Sequence, residues 1–180
     1  MANLIRQSRA GNLNAQVGVV IATGRDSQAL AIADAEGIAT RIVPTSAPDY
    51  DRMLLDALKE HRVDLVCLAG YLRLLPNNVI HAYPHRVLNI HPALLPKFGG
   101  QGMYGMRVHE AVLAAGEQES GCTVHLVNEH YDEGPILYQL RCAIAPDDTP
   151  ESLAARVLEL EHEAYIVAIN HVLDHFSLAN

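Results

Sequence analysis

With 180 residues, 49% of them hydrophobic, the chain is long enough to bury one full core and too short for two ordinary domains. Its formal charge of -8 argues against a general nucleic-acid binder, so any anionic ligand must be met by local positive groups. The scattered cysteines Cys67, Cys122 and Cys142 offer neither a disulfide framework nor a metal cluster, no apolar run reaches membrane-span length, and the amino terminus lacks a charged-then-apolar signal pattern. A single cytoplasmic domain over 1–180 is therefore expected, acting on small molecules without metal, membrane or nucleic acid.

In chain order, residues 2–10 have weak helical character, ended by Gly11-Asn12. Residues 16–22 are a β-rich apolar run and predict an interior strand. Asp26 or Ser27 can cap a helix over 28–36, which Gly37 stops. A strand over 38–43, an amphipathic helix over 50–61 and a third buried strand over 63–69 follow. A short helix over 77–83 leads to an apolar run at 86–88. After it come a glycine-rich loop at 99–105, a helix over 107–115, and strands over 123–127 and 135–145 that form an antiparallel pair. Thr149 caps a last helix with Pro150 at its first position, reaching about residue 173.

This alternation predicts an α/β fold, a doubly wound, largely parallel sheet with an antiparallel carboxyl-terminal pair. Ligands in such sheets sit beyond the carboxyl ends of the strands. Residues 70–73 and the Asn89-Ile90-His91-Pro92 segment both fall there. Asn89 and His91, two apart on an extended segment, point to the same side of it, and Pro92 keeps His91 extended. An amide donor beside an imidazole is what a reacting carbonyl needs from a protein.

The run Leu88-Asn89-Ile90-His91-Pro92-Ala93-Leu94-Leu95-Pro96 resembles the signature of the folate-dependent formyltransferases, and in particular their glycinamide ribonucleotide branch. The block Gly121-Cys122-Thr123-Val124-His125, with Asp132-Glu133-Gly134-Pro135-Ile136-Leu137 after it, is similar to that family's second diagnostic region, in the same order. The resemblance implies transfer of formyl from 10-formyltetrahydrofolate, as co-substrate, to the amine of glycinamide ribonucleotide in purine synthesis. It implies Asn89, His91 and Asp132 as the catalytic set, with Asp132 favouring a charged His91 ring. For the folate it points to Leu72, Arg73, Leu75 and Leu88 and to the loop bearing Asn128 and Tyr131. Glu161 matches the position that receives ribose hydroxyls, and Gly99 opens the loop beside the nucleotide. Lys97 and Arg107 flank that loop and are candidates for phosphate or folate carboxylates. His109 resembles a family histidine near the site, whereas His125, within a strand, is expected to be structural.

One departure stands out. The family opens with a buried strand and a glycine-rich phosphate turn, whereas here Met1-Ala2-Asn3-Leu4 looks like the start of the helix after them. An amino-terminally incomplete domain is expected, with weak nucleotide binding, unpaired strand edges and a possible homodimer. A formyltetrahydrofolate hydrolase or a catalytically silent folate-binding relative are the alternatives.

Overall fold

In the computed structural model, which describes residues 1–177, strand and helix alternate as expected, and the chain divides into two units. The first comprises residues 1–66 and 75–84, the second 67–74 and 85 onward. The fold is α/β, with a parallel strand pair early in the chain and antiparallel strands towards its end.

The first unit contains α1 (Ala2–Arg9), β1 (Val19–Ala22), α2 (Gln28–Ala35), β2 (Ala39–Ile42) and α3 (Tyr50–Glu60). Strands β1 and β2 pair in parallel, Val19 opposite Ala39 and Ala22 opposite Ile42. The sequence predicted a strand from residue 16, but the ladder takes up only its last four residues. Ser27 occupies the cap position of α2 without a side-chain hydrogen bond to the helix. Gly37 ends α2 at φ +68°, a left-handed conformation that costs glycine little. Apolar side chains at helical spacing on α3, Leu54, Ala57 and Leu58, are buried, as are Val20, Ala33 and Val43. In the same unit α4 (Asn77–Ala82) is tied to α3, Asn78 Nδ2 donating to the Asp51 carbonyl at 2.8 Å.

The four-stranded sheet runs in the order β3 (Val66–Cys67), β4 (Val87–His91), β5 (Glu119–Leu126), β6 (Ile136–Ala143). Only two residues of the strand predicted over 63–69 join the ladder. Leu68 still donates to the Leu88 carbonyl at 2.8 Å, and Gly70, at φ +73°, then turns the chain. Strand β5 lies antiparallel to both β4 and β6, so the predicted carboxyl-terminal pair is present and the Asn89 strand joins it as a third antiparallel member. It starts at Glu119 rather than residue 123, because Gly121 does not break it. A Cβ at Gly121 would lie 1.9 Å from the Leu140 carbonyl oxygen, so glycine is what lets β6 approach.

Helices α5 (Met106–Ala114) and α6 (Pro150–Ser177) complete this unit. The start of α6 is closed reciprocally: Ser152 N–H donates to Thr149 Oγ1 at 3.2 Å and Thr149 N–H to Ser152 Oγ at 2.9 Å. Leu153, Val157, Ala164, Ala168 and Ile169 then recur at helical spacing and are buried. Each large member of that stripe contributes about 1.5–3 kcal/mol by leaving water.

Candidate active site

The end of β4 carries Asn89 and His91, and the turn after it is fixed from beneath. Thr123 Oγ1 donates to the Ala93 carbonyl at 2.7 Å and accepts from Leu95 N–H at 3.0 Å and from Gln139 Nε2 at 2.8 Å. Gln139 also donates to the Leu95 carbonyl at 3.0 Å. This hydroxyl is fully buried, so each group it satisfies would be costly to leave unpaired. The backbone that aims His91 is thus held by a strand opposite it in register, since His91 pairs with Thr123.

Asp132 reaches the same place from the loop between β5 and β6. Its backbone lies at φ +57°, a left-handed conformation that aspartate tolerates better than most residues. Its Oδ2 accepts the Gly100 amide at 2.9 Å and lies 3.5 Å from His91 Nδ1; its Oδ1 accepts from Asn89 Nδ2 at 3.4 Å. The three predicted catalytic side chains therefore converge. Burial alone would raise the Asp132 carboxyl, but the Gly100 amide that donates to its Oδ2 helps to hold it below the usual carboxylate range. Asp132 is an anion at neutral pH.

His91 differs from expectation. It is only 3% exposed, and burial lowers its imidazole below the ordinary histidine value although Asp132 and the Phe98 carbonyl pull the other way. Burial outweighs the carboxylate, so the resting ring is neutral at pH 7 rather than an imidazolium. Its Nε2 lies 2.8 Å from the Phe98 carbonyl oxygen, which only accepts, so that nitrogen carries the proton. His91 Nδ1 then presents a lone pair to Asp132, and a proton arriving there would complete an ion pair. Phe98, itself at φ +57°, brings this carbonyl in from the glycine-rich loop.

The sequence reading missed His125 as a member of the site. Its Nε2 lies 3.1 Å from Asn89 Nδ2 and 3.5 Å from Asp132 Oδ1, and its Nδ1 lies 2.9 Å from the Leu126 carbonyl oxygen. The signal that could have found it is register: pairing β4 with β5 sets Asn89 opposite His125.

Of the other predicted residues, Tyr131 links the two segments expected to hold folate, its hydroxyl accepting Leu74 N–H at 3.2 Å. Leu72 is 55% exposed and Leu74 45%, and Arg73 is exposed beside them. Asn128 Oδ1 accepts His130 N–H at 3.0 Å and so shapes the loop. Leu88 has a fully buried side chain, and its carbonyl accepts from Leu68 N–H and Tyr165 Oη. Leu75 likewise belongs to the core of the first unit, at 5% exposure. Gly99 has a packing reason to be glycine, because a Cβ there would lie 2.5 Å from Leu95 Cδ2 and 3.2 Å from Asp132 Cβ.

Half-buried Glu161 has its carboxyl pushed up to about 7 by burial, and its charge helps raise the Cys122 thiol, for which burial is the larger cause, to about 12. Lys97 is paired with Glu117 at 2.8 Å, and the Arg107 guanidinium lies over the Tyr104 ring, 5.4 Å from its centre. His109 is buried with no hydrogen-bond partner at Nδ1 among the described residues. Among those residues, no group of three or more histidine, cysteine or acidic side chains is placed to hold a metal ion, and no helix is long and apolar enough to cross a membrane.

Comparison with known proteins places this arrangement. The chloroplastic phosphoribosylglycinamide formyltransferase of Arabidopsis thaliana is 41% identical over 169 residues, covering 91% of this chain and 58% of that protein. The phosphoribosylglycinamide formyltransferase of Escherichia coli (strain K12) is 33% identical over 175 residues, covering 95% and 80%. The crystal structure of the Brucella melitensis phosphoribosylglycinamide formyltransferase superposes with a TM-score of 0.85 at 41% identity, over 95% of this chain and 88% of that one. The chain spans little more than half the length of the two plant relatives it matches. The formyl transferase family model matches residues 1–169, nearly the whole chain, and with a convergent Asn89, His91 and Asp132 the protein belongs to the formyl transferase family.

Proposed function

We propose that this chain transfers a formyl group from 10-formyltetrahydrofolate to the amine of glycinamide ribonucleotide. The observation that carries the reading is the meeting of Asn89, His91 and Asp132 at the end of β4, with His91 Nδ1 3.5 Å from Asp132 Oδ2. Two relatives that match most of this chain are named phosphoribosylglycinamide formyltransferase.

In the proposed reaction the neutral amine attacks the formyl carbon and charge develops on the formyl oxygen. The His91 Nε2–H, released from the Phe98 carbonyl, and the amide of Asn89 donate to that oxygen. Asp132 takes the proton shed by the attacking nitrogen, directly or through water, and returns one to N10 of the departing folate. The C–N bond to the folate breaks as the bond to the amine forms, so formyl moves and the proton count is unchanged. The exposed Leu72 and Leu74 beside Tyr131 supply an apolar wall for a flat pterin. Glu161 receives the ribose hydroxyls, which needs the carboxylate form.

The experiment follows tetrahydrofolate release from 10-formyltetrahydrofolate with and without glycinamide ribonucleotide. Release that requires the amine and yields formylated nucleotide supports transfer. Equal release without the amine, with formate as product, would replace it by hydrolysis.

A further inference from the structure

We propose that His125 is a positioning residue that holds Asn89 with its amide nitrogen turned inward, so that one N–H of Asn89 stays aimed at the reacting formyl oxygen. The inference deepens the formyl-transfer reading and rests on it.

The hydrogen-bond partners fix the orientation. The Leu126 carbonyl, 2.9 Å from His125 Nδ1, can only accept, so Nδ1 carries a hydrogen. In the neutral ring Nε2 is then bare and needs a donor. The nearest polar group is Asn89 Nδ2 at 3.1 Å, against 3.5 Å to Asp132 Oδ1, itself an acceptor. Asn89 Nδ2 therefore faces two acceptors, His125 Nε2 and Asp132 Oδ1, the latter at 3.4 Å. Turned the other way, Asn89 would set its carbonyl oxygen against a ring lone pair and a carboxylate at once. The short contact to His125 anchors one hydrogen. The long contact to Asp132 leaves the second weakly held, and it is free to pass to a substrate oxygen.

The ring is buried and closely backed. His125 is 2% exposed, and Gly134 backs onto it: a Cβ there would lie 1.7 Å from the Leu126 carbonyl oxygen and 3.5 Å from His125 Nδ1. Asn89 and His125 are opposed across the ladder, so the backbone sets their spacing. A buried histidine kept only to fill space would not need one nitrogen on a carbonyl and the other on the amide of a catalytic asparagine.

Two substitutions separate the halves of this ring. His125→Gln keeps an acceptor at the reach of Nε2 and loses the donor to Leu126; His125→Asn keeps that donor and loses the acceptor for Asn89. We expect His125→Gln to retain kcat within about threefold and His125→Asn to lose it by roughly 10²-fold, KM unchanged in both, the loss being that of one oxyanion donor. Equal losses in the two variants would overturn the proposal. Nitrogen-15 NMR of the wild-type protein supplies an arm independent of turnover: His125 should show a protonated Nδ1 and a bare Nε2. A proton on Nε2 would overturn the orientation even if transfer activity is normal. Should His125→Asn fail to fold, the Asn89 side-chain amide decides, with its inner proton expected to stay protected from exchange in wild type and in His125→Gln; rapid exchange in wild type would contradict it. A wild-type protein that transfers no formyl, with the ring protonated as described, would refute the function and leave the orientation of Asn89 standing.

Discussion

His91 and Asp132 face each other across 3.5 Å, yet the imidazole is neutral while the carboxylate is charged. Burial works against the ring and the carboxylate works for it, so removing the carboxylate leaves only the Phe98 carbonyl opposing burial. Asp132→Asn should therefore lower the His91 titration further below 6.5, as read by ring proton NMR. Turnover should fall by about 10²–10⁴-fold, the usual worth of a positioned acid–base group. The fold should persist, because asparagine tolerates the left-handed backbone at φ +57°. An unchanged His91 titration would refute the coupling.

Glu161 has the opposite pH logic. Its folded carboxyl is raised to about 7 from an ordinary 4.5, so between those values the folded state binds more protons than the unfolded one. Stability from this group is thus present below about pH 4.5 and is lost as the pH rises towards 7. Glu161→Gln should raise the melting temperature at pH 8 and leave it nearly unchanged at pH 4.5. The same variant should weaken nucleotide binding in calorimetry at pH 8, where the wild-type carboxylate is available to hydroxyl groups. A melting temperature that falls at pH 8 would show that the carboxylate is stabilising after all.

Gly99→Ala tests whether the glycine-rich loop controls the acid. The added methyl would sit 2.5 Å from Leu95 Cδ2 and 3.2 Å from Asp132 Cβ, with Leu95 itself buried. Accommodating it should cost about 1–3 kcal/mol in denaturant unfolding and displace Asp132, reducing turnover more than folate affinity. Unaltered kinetics would mean that Leu95 yields alone.

Much of this was legible in the chain because local signals agreed with the fold. Apolar spacing gave α3 and α6, and the run into Pro92 gave the end of β4, where Asn89 and His91 stand. Glu119 to Cys122 were harder to read as strand, since Gly121 looks like a breaker until the Leu140 carbonyl is seen against it. The charge state of His91 depends on how deeply the fold buries it, and the role of His125 depends on strand register; neither is a property of nearby sequence.

Thr123→Val tests the support beneath the site. It is close to isosteric but strands the Ala93 carbonyl and the Leu95 amide in a buried place. Unfolding free energy should drop by about 1–3 kcal/mol, and turnover should fall as the turn carrying His91 loosens. A variant as stable as wild type would show that these groups find other partners.

If Asn89, His91 and Asp132 act as one unit on one formyl carbon, the costs of removing them cannot be independent. The decisive measurement is single-turnover formyl transfer to glycinamide ribonucleotide by His91→Ala, Asp132→Asn and the double variant. Groups that act together are strongly non-additive, so the double variant should lose little more than the worse single one. Losses that multiply, or single variants with near-normal rates, would contradict it.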